Sequence, residues 1–225
     1  PPVRWRTGIG GGYGGPSVAE GRVYVADRQL APDAGARFER VICLREADGE
    51  VLWKYEYECP YTISYPVGPR VPPTVSQGKV YALGAEGNLV CLEAVGGKLL
   101  WSREFKKEYG VKAPVWGFAG HPLVDGQRLI CLAGGAGSTV VAFDKDTGRE
   151  IWRALSAGEP GYSSPVICEA GGQRQLILWH PEAANSLYPV TCEAYWSVPF
   201  KSRSGMTLAT PGKLGDRLFF TAFYS

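Results

Sequence analysis

The chain has 225 residues, of which 45% are hydrophobic, and it carries 24 Lys and Arg against 22 Asp and Glu. This near-neutral balance, without any dense basic run, argues against a nucleic-acid partner, and no apolar stretch approaches the roughly 18 residues of a membrane span. The 30 Gly and 17 Pro follow no collagen-like period, so the composition is typical of a globular β domain with many turns.

Tryptophan recurs along the chain at intervals of roughly 48 residues, a repeat length that indicates a solenoid or a propeller. Five of the seven tryptophans of the chain form this series. Four of the five are preceded by a shared segment, which we call the lead-in; it starts ten residues upstream with a small residue and contains a predicted turn. In three copies Gly occupies the turn, where a positive φ is expected, whereas Cys192 occupies it in the fourth and is expected to be strained. The five are Trp5, Trp53, Trp101, Trp152 and Trp196.

A second pattern lies in register between the tryptophans. Each interval contains a Pro-x-apolar start and then a Gly-led apolar run, as in Pro73-Thr-Val and Gly78-Lys-Val-Tyr-Ala-Leu. With the small-residue strand and the Trp strand, each repeat contains four short strands, which we name A, B, C and D. The pattern predicts an all-β propeller of four-stranded antiparallel blades, with Trp53, Trp101, Trp152 and Trp196 in equivalent positions between sheets. The predicted blades span residues 16–57, 73–105, 122–155 and 165–199, with partial blade strands at 1–7 and 208–225.

The lead-in from Ala142 to Trp152 reads small-x-Asp-x-x-Thr-Gly-x-x-(Leu/Ile)-Trp, and it resembles the tryptophan-docking repeat of the pyrroloquinoline-quinone (PQQ)-like β-propeller family. The resemblance spans essentially the whole chain. It is strongest to uncharacterised exported bacterial propellers and to the propeller lipoprotein of outer-membrane protein assembly. It therefore implies a periplasmic or secreted location, although no signal peptide is recognisable in this sequence.

The number of blades follows from the repeat length and the resemblance together. The family resemblance implies seven or eight blades, and 225 residues suffice for fewer than five. We therefore expect an incomplete ring of about four to five blades, with the missing blades of the same propeller among its partners. A closed ring of five blades, in which the C-terminal A and B strands join an N-terminal D strand at residues 3–5, remains an alternative.

Six cysteines occur in the chain, and their positions favour buried free thiols over a metal site. Cys43 and Cys91 occupy a small-residue slot that Ala142 and Ser186 fill in the other copies, as expected of core positions. An even count permits disulfides but specifies none, and no spacing matches a zinc site.

Candidate binding residues fall on one predicted rim. In a propeller the loops that join D to the next A, and B to C, emerge on one face around the channel. Aromatic, Arg and His side chains at a channel mouth would suit a protein partner, a small molecule or a glycan. The D–A loops supply Tyr61, Tyr65, Arg70, Trp116, His121 and Tyr162, and the B–C loops supply Arg28, Trp179, His180 and Glu182.

The alternative to a binding rim is ordinary packing. Both His121 and His180 precede proline, and a loop histidine bonded to a neighbouring carbonyl is commoner than a catalytic one. The glycine-rich run from Gly8 to Gly15 opens no helix, so it is not a dinucleotide fingerprint, and we expect it to let backbone pass close to a neighbouring blade.

Two functions remain after these considerations. The first is a non-catalytic binding or scaffolding module of an exported bacterial protein, with no cofactor and no metal. The second is a PQQ-dependent alcohol or sugar dehydrogenase, for which the resemblance implies PQQ and Ca²⁺ as cofactors. The dehydrogenases of the family stack the quinone against a disulfide of adjacent cysteines, and this sequence contains no two adjacent cysteines. Because no nucleophile motif is present either, we predict no catalytic residue.

Overall fold

A computed structural model describes residues 2–30 and 37–222 of the chain. Within that part the fold is all-β, with four four-stranded antiparallel sheets and one two-stranded sheet. In each four-stranded sheet the strands lie side by side in chain order, which is the arrangement of a propeller blade and confirms the predicted fold class. The chain divides into two compact units, the first comprising residues 1–104 and 115–117 and the second residues 105–114 and 118–225.

The first unit contains two complete blades. In the first blade the B and C strands have nine residues each, whereas they have five and six in the second blade. The first blade therefore projects further at its B–C end. The strands are β1 (Ser17–Ala19), β2 (Arg22–Leu30), β3 (Arg37–Arg45) and β4 (Val51–Glu58), followed by β5 (Thr74–Ser76), β6 (Lys79–Leu83), β7 (Asn88–Glu93) and β8 (Leu99–Glu104).

The second unit contains two further blades and a two-stranded sheet. Its first blade follows a short helix, α1 (Phe105–Tyr109), which the sequence analysis did not predict because no helical periodicity was visible. The strands are β9 (Leu123–Asp125), β10 (Arg128–Leu132), β11 (Val140–Asp144), β12 (Glu150–Ala154), β13 (Val166–Ala170), β14 (Gln173–His180), β15 (Ala183–Leu187), β16 (Ala194–Pro199), β17 (Gly212–Leu214) and β18 (Arg217–Phe219), and a 3₁₀ turn covers Arg203–Gly205.

The repeated tryptophan occupies the same register in every blade. Trp53 pairs with Cys43 on the neighbouring C strand, and the register then shifts so that the residue before the tryptophan is skipped. The same β-bulge recurs opposite Trp101, Trp152 and Trp196. Because the bulge places an extra residue on the D strand, an apolar side chain is left partly exposed beside each tryptophan. These residues are Leu52, Leu100, Ile151 and Tyr195.

Two tryptophans of the first unit make the same contact with a following turn. The indole Nε1 of Trp5 donates a hydrogen bond to the carbonyl of Glu46 at 2.8 Å, and its ring lies against Gly49. A Cβ on Gly97 would lie 2.6 Å from the ring of Trp53, and Gly97 also has φ +71°. Glycine is therefore needed at this turn both for its backbone angle and for the approach of the ring.

The fourth motif departs from this pattern at Cys192. Its φ is +62°, so a residue with a side chain occupies a left-handed turn that glycine fills in the other blades. Cys192 packs against the buried cluster of the second unit that contains Trp152, and the Nε1 of Trp152 is buried without a hydrogen-bond partner. All six cysteines are free thiols.

The two ends of the described chain differ from the sequence prediction. Residues 3–5, expected to supply a D strand, belong to none of the five sheets within the described residues. A strand forms where a second backbone satisfies its N–H and C=O groups, and these sheets provide none for that segment. The predicted B strand from Arg217 to Tyr224 ends at Phe219, and Tyr224 lies outside the described residues. The incomplete ring remains a prediction.

Each unit has its own apolar core between its blades. In the first unit the core joins B and C strand residues such as Tyr24, Cys43, Val80 and Leu92, with Trp53 packed against it. In the second unit Trp152 is itself part of the buried cluster. No helix in the described part of the chain is long and apolar enough to cross a membrane.

Candidate functional site

The long β2–β3 hairpin of the first unit buries two acidic and two basic residues at its B–C end. Asp27 and Arg28 lie within β2, directly opposite Arg40 and Glu39 on β3. This corrects the prediction that Arg28 lies in a B–C loop. The strands continue through these polar residues because opposite charges face each other in the register, which offsets the cost of burying them.

Asp27 and Arg40 form a bidentate ion pair. The Arg40 Nε and Nη2 groups donate to the two Asp27 carboxylate oxygens at 2.8 and 2.5 Å. Asp27 is fully buried and also accepts a hydrogen bond from the backbone N–H of Gly10. This pair ties the glycine-rich N-terminal segment to β2, and a Cβ on Gly10 would collide with the Arg28 carbonyl. The expectation of close backbone passage at this segment is therefore confirmed.

Glu39 is a buried acceptor for three donors. The hydroxyl of Tyr57 donates to Glu39 Oε2 at 2.5 Å, whereas Oε1 accepts from the backbone N–H of Ala85 at 2.9 Å and from the hydroxyl of Tyr61. Burial, with the negative charge of Glu39, raises the pKa of Tyr57 and the pKa of Tyr61 well above the ordinary value. Both phenols therefore stay protonated as donors, and Tyr61 is fixed in orientation.

Arg28 lies on the outer side of Tyr61. Its guanidinium carbon is 3.7 Å from the centre of the Tyr61 ring, which is a cation–π contact. The Nη1 group donates to the carbonyl of Pro66, whereas Nε and Nη2 are buried without any hydrogen-bond partner. Arg28 as a whole is 2% exposed. A buried guanidinium therefore retains an unused pair of donors at this position.

Arg70 holds the loop at residues 64–68 through hydrogen bonds to its backbone. Its Nε donates to the Trp116 carbonyl at 2.6 Å, and its Nη2 donates to the carbonyls of Ser64 and Tyr65 at 2.9 and 2.8 Å. Its Nη1 donates to the carbonyl of Gly68. Burial lowers the pKa of Arg70. These hydrogen bonds are all to backbone carbonyls, so Arg70 positions the loop instead of offering free donors to a ligand.

The loop held by Arg70 presents aromatic and apolar side chains to solvent. Tyr65 is 66% exposed, and its φ of +54° is a left-handed conformation that is unusual for a bulky residue. The Arg70 guanidinium also lies 4.9 Å from the centre of the Tyr13 ring. We call this surface the Tyr–Arg patch. It consists of Tyr13, Tyr65, Val67, Arg70, Val115 and Trp116, with Arg28 and Tyr61 at its base.

In the second unit most candidate side chains are buried. Trp179 is fully buried, stacks on Phe200 at 4.8 Å between ring centres, and donates from Nε1 to the Phe200 carbonyl at 3.0 Å. Trp179 and His180 end strand β14, which corrects their prediction as loop residues. The strand extends through them because Trp179 packs in the core and both residues pair with β15.

The remaining candidates of the second unit have mostly structural contacts. The Nδ1 of His180 accepts from the backbone N–H of Glu182 at 3.3 Å, and burial lowers the pKa of both His180 and His121. Backbone N–H groups of His121 and Tyr162 donate to the hydroxyls of Ser164 and Thr207, at 3.0 and 3.1 Å. Of these residues only Glu182 is largely exposed, beside a shallow depression of about 320 Å³.

The structure thus brings Arg28, Tyr61, Tyr65, Arg70 and Trp116 together within the first unit. The other candidates belong to the second unit, and a single funnel bordered by all of them remains a prediction. Sequence reasoning missed Glu39, Arg40 and Tyr57, because a polar hairpin end resembles a loop in sequence. The missed signal was the complementary charge of Asp27-Arg28 and Glu39-Arg40.

The alternative function would require PQQ and a calcium ion. No group of three His, Cys, Asp or Glu side chains in residues 2–30 and 37–222 is arranged to hold a metal ion. The buried carboxylates of the rim are already occupied, Asp27 by Arg40 and Glu39 by its three donors. We therefore derive no chemistry through that cofactor.

A protein-family model matches residues 37–207 and is described as outer membrane protein assembly factor BamB. No curated protein matches the chain at a significant level. Among solved structures, BamB from Moraxella catarrhalis is similar to the chain with a TM-score of 0.57 and 15% sequence identity. That match covers 90% of this chain and 62% of the BamB chain.

Dehydrogenases of the same fold are equally similar. A europium-containing methanol dehydrogenase matches with a TM-score of 0.59 and 18% identity, over 86% of this chain and 42% of its own. A quinohemoprotein alcohol dehydrogenase from Comamonas testosteroni gives 0.59 and 17%, over 83% and 35%. The chain therefore spans less than two thirds of each of these structures. At such identities the similarity establishes the fold alone.

Proposed function

The chain belongs to the PQQ-like β-propeller family, whose matching model is described as outer membrane protein assembly factor BamB, and from this premise we propose that it is a non-catalytic protein-binding or scaffolding module. The description is of an assembly factor, a protein that acts through other proteins. A periplasmic or secreted location is part of the proposal, as is a partner that is a protein rather than a nucleic acid.

The observation that carries the proposal is the Tyr–Arg patch. Its exposed residues are aromatic or apolar, and the polar groups beneath them are largely committed to internal hydrogen bonds. Loops on a rigid sheet scaffold are where binding residues collect, and Tyr, Trp and Arg dominate the energetics of protein interfaces. Such a surface suits recognition of a partner better than acid–base chemistry.

The repeat itself also supports a scaffolding role. We interpret the contacts of Trp5 and Trp53 with the following turns as the tryptophan-docking arrangement of the family. That arrangement joins each blade to the next, so the sheets that carry the loops are held in fixed positions. A partner would therefore meet loops on a preformed base, which lowers the entropic cost of association.

The alternative is a quinoprotein dehydrogenase, and the fold similarity to methanol and alcohol dehydrogenases is the observation that favours it. We propose that this chain binds no PQQ. An absorbance titration of the purified chain with PQQ and Ca²⁺ tests this directly, and we expect no saturation. Saturable binding at micromolar quinone, with dye-linked oxidation of an alcohol, would replace the proposed function by the dehydrogenase.

Site-specific crosslinking in the native host tests the binding function. We would replace Tyr65 by p-benzoylphenylalanine, with Tyr195 of the second unit as the matched exposed control. The expected result is one discrete adduct from position 65 that is absent from position 195, with the partner identified by mass spectrometry and reconstituted from purified proteins. No adduct from position 65, or identical adducts from both positions, would contradict the proposal.

A further inference from the structure

The Tyr–Arg patch contains two guanidinium groups that no carboxylate neutralises directly. Arg70 bonds only to backbone carbonyls, and Arg28 bonds to the Pro66 carbonyl and stacks on Tyr61. Neither forms an ion pair with a described residue. Glu39 is the carboxylate nearest to Tyr61, and three donors already occupy it. The base of the patch therefore holds two guanidinium groups beside one buried carboxylate, Glu39, and its surface is apolar.

The unused edge of Arg28 indicates which ligand would suit this base. In this chain Arg40 uses the same pair of groups, Nε and Nη2, to hold the Asp27 carboxylate in a bidentate arrangement. The corresponding groups of Arg28 are buried and have no acceptor. Leaving such donors unpaired in a buried site is costly, and the geometry of the fork matches a carboxylate.

Tyr65 supplies a second, independent observation. Its ring is 66% exposed although its backbone is held at φ +54°, where a bulky side chain is strained. The strained peptide is held by the hydrogen bonds that the Tyr65 carbonyl accepts from Arg70 and from the Val67 backbone N–H. The chain thus maintains strain in order to present an aromatic ring that packs little against the protein itself.

We propose that the Tyr–Arg patch binds an extended, acidic segment of a partner protein. A carboxylate of the segment pairs with the free edge of Arg28, and its apolar side chains pack on Tyr13, Tyr65 and Val115. The four successive exposed residues 64–67, which cover Arg28 through the Pro66 carbonyl, move aside to admit the carboxylate. This inference rests on the proposed binding function and specifies the chemistry of its partner.

The number of cations favours a polypeptide over a nucleic acid. Phosphate polymers are held by several Lys and Arg side chains that follow the backbone, and the patch offers only two guanidinium groups. An acidic peptide needs one or two such contacts and gains the rest from apolar burial. An oligonucleotide is therefore used as a competitor, and displacement of the peptide by it would overturn the assignment.

The experiment is a fluorescence anisotropy titration with two labelled peptides. One contains alternating Glu and Phe, and the other contains Gln in place of each Glu. We expect the acidic peptide to bind about tenfold more tightly, as one charge-assisted bidentate contact would give, and to weaken in 500 mM NaCl. Equal affinities for the two peptides, or an affinity that salt does not change, would overturn the proposal.

Matched variants locate the site. Arg28→Gln should abolish the preference for Glu over Gln, whereas Arg45→Gln, at the far end of β3 and partly exposed, should leave it unchanged. Tyr65→Ser should weaken both peptides about tenfold, and Tyr195→Ser in the second unit should weaken neither. Wild-type affinity in a folded Arg28→Gln variant would refute the role of Arg28.

The design remains decisive if Arg28→Gln fails to fold, because Tyr65 is exposed and its replacement spares the core. In that event unchanged binding by Tyr65→Ser would by itself reject the patch. Failure of this inference is distinguishable from failure of the proposed function. A partner crosslinked from position 65 together with no peptide preference would leave a binding module whose ligand is not acidic.

Discussion

The indole Nε1 of Trp53 donates a hydrogen bond of 3.1 Å to the carbonyl of Ala94, in the C–D turn of the next blade. The same ring lies against Gly97, three residues further along that turn. One side chain therefore joins two blades through both a polar and an apolar contact.

The contribution of Trp53 can be divided between these contacts. Trp53→Phe keeps an aromatic ring but loses the hydrogen bond, and should lower the free energy of unfolding by about 1 kcal/mol. Trp53→Ala also removes the ring and should cost about 3 kcal/mol, the lower end for such truncations because the residue is only partly buried. Urea unfolding of the two variants measures both losses. Equal losses would mean that the ring contributes nothing.

We expect that replacing Cys192 at its turn can raise the stability of the chain. Cys192→Gly removes a side chain from a left-handed position, so it should raise the free energy of unfolding by about 1 kcal/mol. The reciprocal change Gly97→Cys should destabilise the chain, since the new Cβ would lie 2.6 Å from the Trp53 ring. Denaturation under reducing conditions tests the pair. A loss of stability in Cys192→Gly would show that packing of the sulfur outweighs the backbone strain.

Trp179 should behave as a packing residue. Because it is fully buried and stacked on Phe200, Trp179→Ala should lower the free energy of unfolding by about 3–5 kcal/mol. Tyr65→Ser, at an exposed aromatic, should change the melting temperature little. Differential scanning calorimetry of the two variants makes the comparison. A Trp179→Ala variant as stable as wild type would contradict the packing role and support the earlier prediction that Trp179 contacts a ligand.

Stability should decline on the acid side because of His180. Burial lowers its pKa in the folded state below the ordinary value of 6.5, so the unfolded chain takes up the proton first. The contribution of a neutral His180 is therefore complete above pH 6.5 and is lost as the pH falls through the lowered folded pKa. His180→Gln should flatten the dependence of melting temperature on pH between about 7 and 5 relative to wild type. His121, which is shifted in the same direction, should account for what remains.

The alkaline side should be governed by Tyr57 and Tyr61. Their pKa values are raised in the folded state, so their contribution is complete below the ordinary value of 10.0 and is lost as the pH rises above it. Tyr61→Phe should reduce this loss between about pH 10 and 12, at the expense of one hydrogen bond to Glu39 at neutral pH. Melting curves across that range check the prediction; identical alkaline profiles in variant and wild type would contradict it.

The sequence was sufficient for the repeated elements but not for the rim. The position of Trp53 opposite Cys43 follows from local rules, because a turn glycine and an apolar alternation fix the register of a hairpin. The continuation of β2 through Asp27 and Arg28 does not, since their burial depends on charges that lie across the sheet and on Tyr61 from a distant loop. Trp179 was misplaced for the same reason: its partner Phe200 is brought to it only by folding.

The contacts of Trp5 and Trp53 mean that the first blade both receives a tryptophan ring in its own turn and supplies one to the turn of the next blade. A repeat brings its own ring for the next repeat and its own turn for the ring of the preceding one, as Trp5 shows on the first blade. An interface of this kind is carried entirely within the repeated sequence. Duplicating or deleting a repeat that keeps its tryptophan and its turn glycine would therefore create a junction of the same kind as those already present, which lets the gene of such a protein change its number of blades without a new type of contact.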